Sequence, residues 1–318
     1  MFPKGVFYCQ FVLSLGMLIP PTLTAKDQVR IIAPSGIVPS KGIDAAIKTL
    51  ESWGLKVSLG KNVFNKSSVF AGSDAQRLQD FQEAINEEEV KFILCARGGY
   101  GLTRYIDLLN LKALKKSPKW VVGFSDITAF LLKAEKNNIV SIHGPMATSF
   151  ARKGANKSID QLHRLLFEGK SVIESTKPQL KIGKAQGRLV GGNLALLCES
   201  IGTEAEIDTD NKILIIEDIG EYYYRIDRML NQLARAKKLD NLKGLVIGSF
   251  SNLLRGEVKF TESVIDIIER LTNKANYPIA ALMPIGHEPE NYPFVHGAEY
   301  RLDVAKEFAQ LKLMTKLG

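Results

Sequence analysis

The stretch WVVGFSDITAFLLKAEK (Trp120–Lys136) decides the fold, because an apolar strand pattern passes into a helical pattern with almost no residues between them. A buried strand followed at once by a helix is typical of the parallel sheets of α/β proteins. Ser125 lies at this turn, which is the setting of a nucleophile elbow. Since Ile127 replaces the second glycine of G-x-S-x-G, a second interpretation stays open, in which Ser125 only caps the helix.

Strand and helix patterns of the same kind alternate through the first half of the chain. Val90–Ala96 is a buried-strand pattern that ends in the glycine-rich loop Arg97–Gly101. Ser73 and Gln76 have the spacing of a capping box, which opens a helix. Together these patterns predict an α/β fold whose first domain, residues 17–150, has a mostly parallel sheet covered on both faces.

The pattern changes after residue 150. Residues 151–185 are polar and rich in lysine, and we interpret them as a linker that holds one helix around Leu162–Leu166. Shorter strands punctuated by glycine follow, such as Ile213–Ile216 and Gly244–Phe250. They predict a second, more β-rich domain over residues 186–318.

The composition of the 318 residues, 45% hydrophobic and 24% charged, is that of a soluble globular protein. The net charge is +8, but the basic residues are spread out among acids, which favours a solvated surface over a nucleic-acid site. Cys9, Cys95 and Cys198 form no CxxC pair, so we expect buried free thiols and a reducing, cytoplasmic compartment. These cysteines and four histidines give no structural zinc site.

The N-terminus has two interpretations. The apolar stretch Val6–Ile19 resembles a signal peptide, but it contains Gln10 and lacks a clear cleavage site. Alternatively, translation begins at Met17 and residues 1–16 are an upstream extension. No other segment reaches ~18 apolar residues, so we expect no membrane-spanning helix in the body of the chain.

A nucleophilic serine needs a base, and the base needs an orienting acid. His287 lies in a loop dense in glycine and proline, a place where functional groups are often found, and it leads His143 only narrowly. Glu217 follows the buried strand Ile213–Ile216, at the end where α/β sheets bind ligands. A solvated acid or a helix cap is the alternative for Glu217.

Hydrolysis through a tetrahedral intermediate also needs backbone donors. The N–H groups of Asp126, Gly98 and Gly99 are the candidate oxyanion hole, because glycines let the main chain approach a ligand closely. The same loop would suit a phosphate, but it lacks the G-x-G-x-x-G spacing and the P-loop lysine.

These segments together resemble the LD-carboxypeptidases, also called muramoyltetrapeptide carboxypeptidases, a family of serine peptidases. The resemblance spans nearly the whole chain from about Met17. Members look as if they start near Ile19, which favours Met17 as the start. The resemblance rests on seven segments in order: Ile31–Gly36, Ala96–Gly101, Gly123–Asp126, His143–Met146, Gly187–Asn193, Ile216–Asp218 and Gly286–His287.

The resemblance implies a Ser-Glu-His triad in which Ser125 is the nucleophile, Glu217 the acid and His287 the base. The glycine-rich loop and the residue after the serine match the oxyanion hole. It also implies a C-terminal domain built around a β-barrel, of the swivelling β/β/α kind, a homodimer, and no cofactor or metal. The implied reaction removes the terminal D-alanine from a murein tetrapeptide during peptidoglycan recycling.

The substrate's terminal carboxylate needs a cationic pocket, and Arg97 is our candidate by charge complementarity, with Tyr100 as a second substrate-binding residue. A salt bridge within the fold is the alternative for Arg97. A microcin self-immunity hydrolase of peptidyl-nucleotides is the nearest rival function, and Tyr222, Tyr223 and Tyr224 offer it aromatic rings. A non-catalytic ligand-binding protein and a general esterase are more distant rivals.

Overall fold

The computed structural model describes residues 16–257 and 260–317. Within this part of the chain the strands form two sheets. The strands are, in chain order, β1 (Gln28–Ile32), β2 (Lys56–Leu59), β3 (Val90–Cys95), β4 (Trp120–Gly123), β5 (Ser141–His143), β6 (Val172–Ser175), β7 (Gly183–Asn193), β8 (Ile213–Ile219), β9 (Gly244–Ser251), β10 (Ile279–Ala280), β11 (Phe294–His296), β12 (Glu299–Ala305) and β13 (Phe308–Leu313).

The helices lie between these strands and cover the sheets. Ser73 and Gln76 form the expected capping box at the start of the second helix, where the Ser73 hydroxyl accepts from the Gln76 N–H. In residues 16–257 and 260–317, no helix is both long and apolar enough to cross a bilayer. The helices are α1 (Asp44–Ser52), α2 (Asp74–Asn86), α3 (Lys112–Lys116), α4 (Thr128–Lys136), α5 (Asn156–Glu168), α6 (Leu194–Ser200), α7 (Tyr223–Arg235) and α8 (Val264–Leu271).

The first sheet has the strand order β11-β5-β4-β3-β1-β2. All neighbours are parallel except β11, which pairs antiparallel with β5. Val121 packs into one buried cluster and Val122 into another, because successive strand side chains point to opposite faces. The expectation of a mostly parallel sheet covered on both faces is confirmed.

The second sheet has the order β10-β9-β8-β7-β12-β13-β6, with β7 to β10 parallel and the other pairs antiparallel. Its two edges approach each other at one corner, where the Ser175 hydroxyl donates to the Leu282 carbonyl oxygen at 3.1 Å. Lys181 and Ile279 form an isolated bridge close by. A curled mixed sheet in an α/β chain is thus established, whereas the expected barrel is not confirmed.

Two strands lie where the sequence patterns did not place them. β6 falls inside the segment expected to be a linker, yet it pairs with β13 and forms an edge of the second sheet. β11 comes late in the chain, yet it joins the first sheet beside β5. The chain therefore crosses between the sheets more than once, and the domain boundaries stay a prediction.

The two sheets meet along α4, which follows the strand that carries Ser125. The Thr128 hydroxyl accepts a hydrogen bond from the Asn193 N–H at 3.2 Å. A largely buried ion pair joins Lys212, which immediately precedes β8, to Glu135 of α4 at 2.8 Å. The contact of Thr128 with Asn193 holds the carboxyl end of β4 close to that of β8, because Asn193 pairs with Glu217 across the sheet.

Candidate active site

Ser125 sits at a strained turn between β4 and a short 3-10 helix, Ser125–Ile127. Its φ of +63° lies in the left-handed region, which costs a residue with a side chain about 1–3 kcal/mol. No side chain caps either helix that follows β4, and within the described chain the Ser125 hydroxyl has no hydrogen-bond partner. The capping interpretation is therefore wrong, and the hydroxyl is available for chemistry.

Glu217 and His287 form a close pair. The Nδ1 atom of His287 lies 2.7 Å from Oε2 of Glu217, and the glutamate is fully buried. Burial alone raises the pKa of the Glu217 carboxyl, but the neighbouring imidazoles of His143 and His287 outweigh it and lower that pKa to about 2. The carboxylate therefore stays charged, and it can hold the Nδ1 proton of His287 so that Nε2 is free to act as a base.

A bulge in β9 brings the loop that carries His287 close to Glu217. Ile216 pairs with Ile247 and Asp218 with Phe250, so two residues of β9, Gly248 and Ser249, oppose Glu217 alone. The Ser249 hydroxyl accepts a hydrogen bond from the His287 N–H at 3.1 Å. No motif in the sequence pointed to Ser249, although a glycine inside an apolar strand, here Gly248, is the usual signal of a bulge.

The loop that carries His287 requires its backbone to approach the Glu217 side chain closely. Gly286 has a φ of +130°, and a methyl group added there would lie 3.0 Å from Oε2 of Glu217. On the other side, Arg152 donates a hydrogen bond to the carbonyl oxygen of His287 at 2.7 Å. Together with Ser249, these contacts fix the backbone of His287 from both ends.

The ring of Phe124, which immediately precedes Ser125, packs against that of His287. The two ring centroids are 4.8 Å apart, in an edge-on arrangement at 62°. Phe124 immediately precedes Ser125 and is 5% exposed. The structure thus pairs His287 with Glu217 and packs its ring against the residue that precedes Ser125, whereas the triad itself stays a prediction.

The glycine-rich loop lies against Ser125 because β3 and β4 are neighbouring parallel strands that end at the same edge. A methyl group added at Gly98 would lie 3.0 Å from Cβ and 3.2 Å from Oγ of Ser125. The Gly36 N–H donates to the Gly98 carbonyl oxygen at 2.9 Å. In a trans peptide the following N–H points the opposite way, so this bond turns the Gly99 N–H away from Gly36.

The amides of Gly99 and Asp126 have no acceptor among residues 16–257 and 260–317. The Asp126 carboxylate itself accepts a hydrogen bond from the Leu102 N–H at 2.9 Å, which ties the residue after the nucleophile to the glycine-rich loop. Two free N–H donors beside a serine hydroxyl are the arrangement that stabilises a developing oxyanion.

The two expected substrate-binding residues lie on the same loop but do not contact the triad. Arg97 is exposed and donates to the Ile37 carbonyl oxygen at 3.1 Å. Tyr100 is 54% exposed, with its ring centroid 5.6 Å from that of Phe70. Arg97 is held by a carbonyl rather than by an acid, so the salt-bridge alternative for it is wrong.

Two cysteines and two further histidines are buried in the core. Cys95 and Cys198 are buried free thiols as expected, whereas Cys9 lies outside the described residues. His143 and His296 are fully buried. In the part of the chain that the structure describes, no group of three or more His, Cys, Asp or Glu side chains is placed to hold a metal ion.

Both halves of the chain match models of one protein family. Residues 29–144 match the LD-carboxypeptidase N-terminal domain, and residues 186–302 match the LD-carboxypeptidase C-terminal domain. The chain is 35% identical to a probable murein peptide carboxypeptidase of Bacillus subtilis (strain 168), over 97% of each protein.

Solved structures agree with this match. The muramoyltetrapeptide carboxypeptidase from Oxalobacter formigenes superimposes with a TM-score of 0.82 at 29% identity, covering 92% of this chain and all of the other. The microcin C7 self-immunity protein MccF superimposes with a TM-score of 0.84 over 94% of this chain and 99% of its own. At 19% identity, that second similarity shows a shared fold alone.

Proposed function

This chain belongs to the LD-carboxypeptidase family of serine-type peptidases, and on that premise we propose that it releases the terminal D-alanine from murein tetrapeptide. The bond that breaks joins an L-centre to the terminal D-residue. The 2.7 Å pair of Glu217 and His287, held against the residue that precedes Ser125, carries the proposal.

In the first step, Nε2 of His287 takes the proton of the Ser125 hydroxyl as its oxygen attacks the scissile carbonyl carbon. Glu217 holds the imidazole in the tautomer that leaves Nε2 free, and it stabilises the cation that forms. General-base assistance of this kind contributes about 10²–10⁴-fold to the rate. His287 then gives the proton to the departing amine of D-alanine.

The oxyanion of the tetrahedral intermediate is stabilised by the N–H groups of Gly99 and Asp126, with Gly98 allowing the close approach. Each donor of this type is worth roughly 10²–10³-fold in rate. Water then attacks the acyl-enzyme, again with His287 as the base. The shortened peptide leaves, and the Ser125 hydroxyl is restored.

A carboxypeptidase differs from an endopeptidase because it recognises the terminal carboxylate of its substrate. Arg97 is exposed and immediately precedes Gly98 and Gly99 in the same loop, and we assign it to that carboxylate. Tyr100, which is exposed beside it, contacts the peptide. The proposal includes a cytoplasmic homodimer that acts in peptidoglycan recycling.

A peptidyl-nucleotide hydrolase stays the rival, because it would use the same triad. Tyr222 and Tyr224 pack against each other at 5.6 Å, and Tyr223 stacks on Phe260 at 6.5 Å. No contact within the described chain joins these rings to the triad. Tyr223, however, lines a cavity with Ser249 and Glu288, next to His287, so the rings do not decide against the rival and the comparison of substrates does.

The decisive experiment compares two substrates and two proteins. Purified wild type and Ser125→Ala are incubated with murein tetrapeptide or with an aminoacyl-nucleotide analogue, and the released D-alanine or nucleotide is quantified. D-alanine release by wild type alone supports the proposal. Preferential cleavage of the nucleotide analogue favours the rival, and equal activity of the two proteins removes Ser125 from the mechanism.

A further inference from the structure

A second imidazole lies on the far side of the triad acid. His143 ends β5, and its register places it directly beside Gly123 of β4 and Phe294 of β11. Its ring stacks on that of Phe294 at 4.7 Å, with 13° between the planes. The same ring contacts Phe124 at 5.7 Å. Packing on both sides therefore fixes the plane of the His143 ring.

One of the two ring nitrogens of His143 faces Glu217. His143 is fully buried, and neither ring nitrogen has a hydrogen-bond partner in residues 16–257 and 260–317. Oε1 of Glu217 is equally buried and unpartnered in the same part of the chain. The Nε2 atom of His143 lies 4.0 Å from this oxygen. Buried polar atoms without partners are rare, so atoms that face each other in this way require an explanation.

We infer that His143 is a positioning residue for Glu217, which directs an Nε2–H group at Oε1 while His287 occupies Oε2. The inference rests on the proposed triad. The separation of 4.0 Å is longer than a hydrogen bond, but a shift of about 1 Å closes it. A carboxylate held at both oxygens cannot rotate, and its second oxygen stays aimed at Nδ1 of His287.

The surroundings of His143 strengthen this role. Glu217 faces His143, His287 lies on the other oxygen of that glutamate, and His296 is on the adjacent strand β11. His296 uses its Nε2 atom to accept from the Gly191 N–H at 3.0 Å, so it points elsewhere. Phe124 and Phe294 supply the apolar walls, which strengthen the attraction between an N–H dipole and the carboxylate.

The inference predicts the tautomer of His143 in the wild-type protein. Nitrogen-15 NMR of histidine-labelled protein distinguishes protonated from bare ring nitrogens, and loss of one set of signals in His143→Gln assigns them. We expect Nε2 to carry the proton. A bare Nε2, with the proton on Nδ1, places a lone pair opposite the carboxylate and overturns the inference. This measurement needs no substrate, so it is separate from the test of the proposed function.

Two variants separate positioning from packing. His143→Phe keeps the stacked ring but removes the donor, and His143→Gln keeps an N–H donor near the Nε2 position but removes the ring. For a positioning role we expect His143→Phe to lower kcat about tenfold with KM unchanged, and His143→Gln to restore most of it. Wild-type kcat in His143→Phe, or a lower kcat in His143→Gln than in His143→Phe, overturns the inference. If wild type releases no D-alanine, the proposed function fails and the NMR result alone decides the role of His143.

Discussion

The ring of Phe124 lies edge-on against the imidazole of His287, with 4.8 Å between their centroids. Phe124 belongs to the turn that carries Ser125, whereas His287 lies in the loop that leads from β10 of the second sheet to β11 of the first. This contact therefore joins the two halves of the site. It also places an apolar ring beside the Glu217–His287 pair, where a lower local dielectric strengthens the interaction of the charges.

Replacing Glu217 by Gln tests the acid. The amide keeps the size of the side chain but removes the charge that stabilises the imidazolium, so we expect kcat to fall about 10³–10⁴-fold. Steady-state D-alanine release measures the effect. Glu168→Gln is a suitable control, because Glu168 is an exposed acid paired only with Lys170 on the surface. A loss of less than about tenfold in Glu217→Gln would show that the acid does not act on His287.

Replacing Gly98 by Ala tests the oxyanion loop. The added methyl group meets Cβ of Ser125 at 3.0 Å, so either the loop or the nucleophile must shift. Because oxyanion donors act only at the correct distance, we expect kcat to fall about 10²-fold while the thermal midpoint changes little. Gly183→Ala, at the start of β7, is the matched control, since the methyl group added there meets the Pro278 side chain at 3.2 Å. Normal kcat in Gly98→Ala would place the oxyanion elsewhere.

Replacing Arg97 by Ala tests carboxylate recognition. We expect KM for the tetrapeptide to rise about tenfold or more, since a charge-assisted hydrogen bond is lost. The variant should no longer distinguish the free acid from a C-terminally amidated peptide. Arg301→Ala, at an exposed arginine paired with Asp303 on β12, is the control. Unchanged preference for the free acid would remove Arg97 from the substrate site.

Stability at acidic pH tests the buried histidine of β11. Burial, with smaller effects of the charges of Lys212 and His143, lowers the pKa of His296 from 6.5 to about 3. At a pH between these two pKa values, His296 is protonated in the unfolded chain but not in the folded chain. Its contribution to the free energy of unfolding is therefore fully present above about pH 6.5 and is lost as the pH falls toward about 3. The loss approaches about 1.4 kcal/mol per pH unit.

His296→Gln keeps an acceptor for the Gly191 N–H but cannot titrate in this range. Urea unfolding at about pH 7, 6 and 5 should therefore show the wild type losing more free energy of unfolding than the variant. Other titrating groups are shared by the two proteins, so they cancel in the difference. Parallel pH dependences would mean that His296 takes up its proton without unfolding.

Local patterns predicted the parallel sheet well, because burial on both faces leaves continuous apolar runs such as that of β4. They did not predict that β6 joins the second sheet or that β11 joins the first. β11 pairs with β5, and nothing within the three residues Phe294–His296 specifies that partner. β6 could not be recognised among its polar, lysine-rich neighbours. It is an edge strand, so only alternate side chains are buried and it leaves no continuous apolar run.

The same limit applies to the site. Ser125 and Glu217 follow apolar strands, and their positions at strand ends are visible in the sequence. The bulge that brings Ser249 to His287, and the Gly36 bond that orients the Gly98 carbonyl, depend on contacts between distant segments. The sequence also left His143 undecided between roles, because only the fold shows what its ring faces.

The central claim is that His287 and Glu217 activate the Ser125 hydroxyl, and covalent labelling measures this directly. A fluorophosphonate reacts with activated serines, and peptide mapping by mass spectrometry locates the adduct. We predict a single adduct on Ser125 in the wild type, forming at least about 10²-fold more slowly in His287→Asn. Labelling at another residue, or of Ser125 at the same rate in both proteins, would contradict the account.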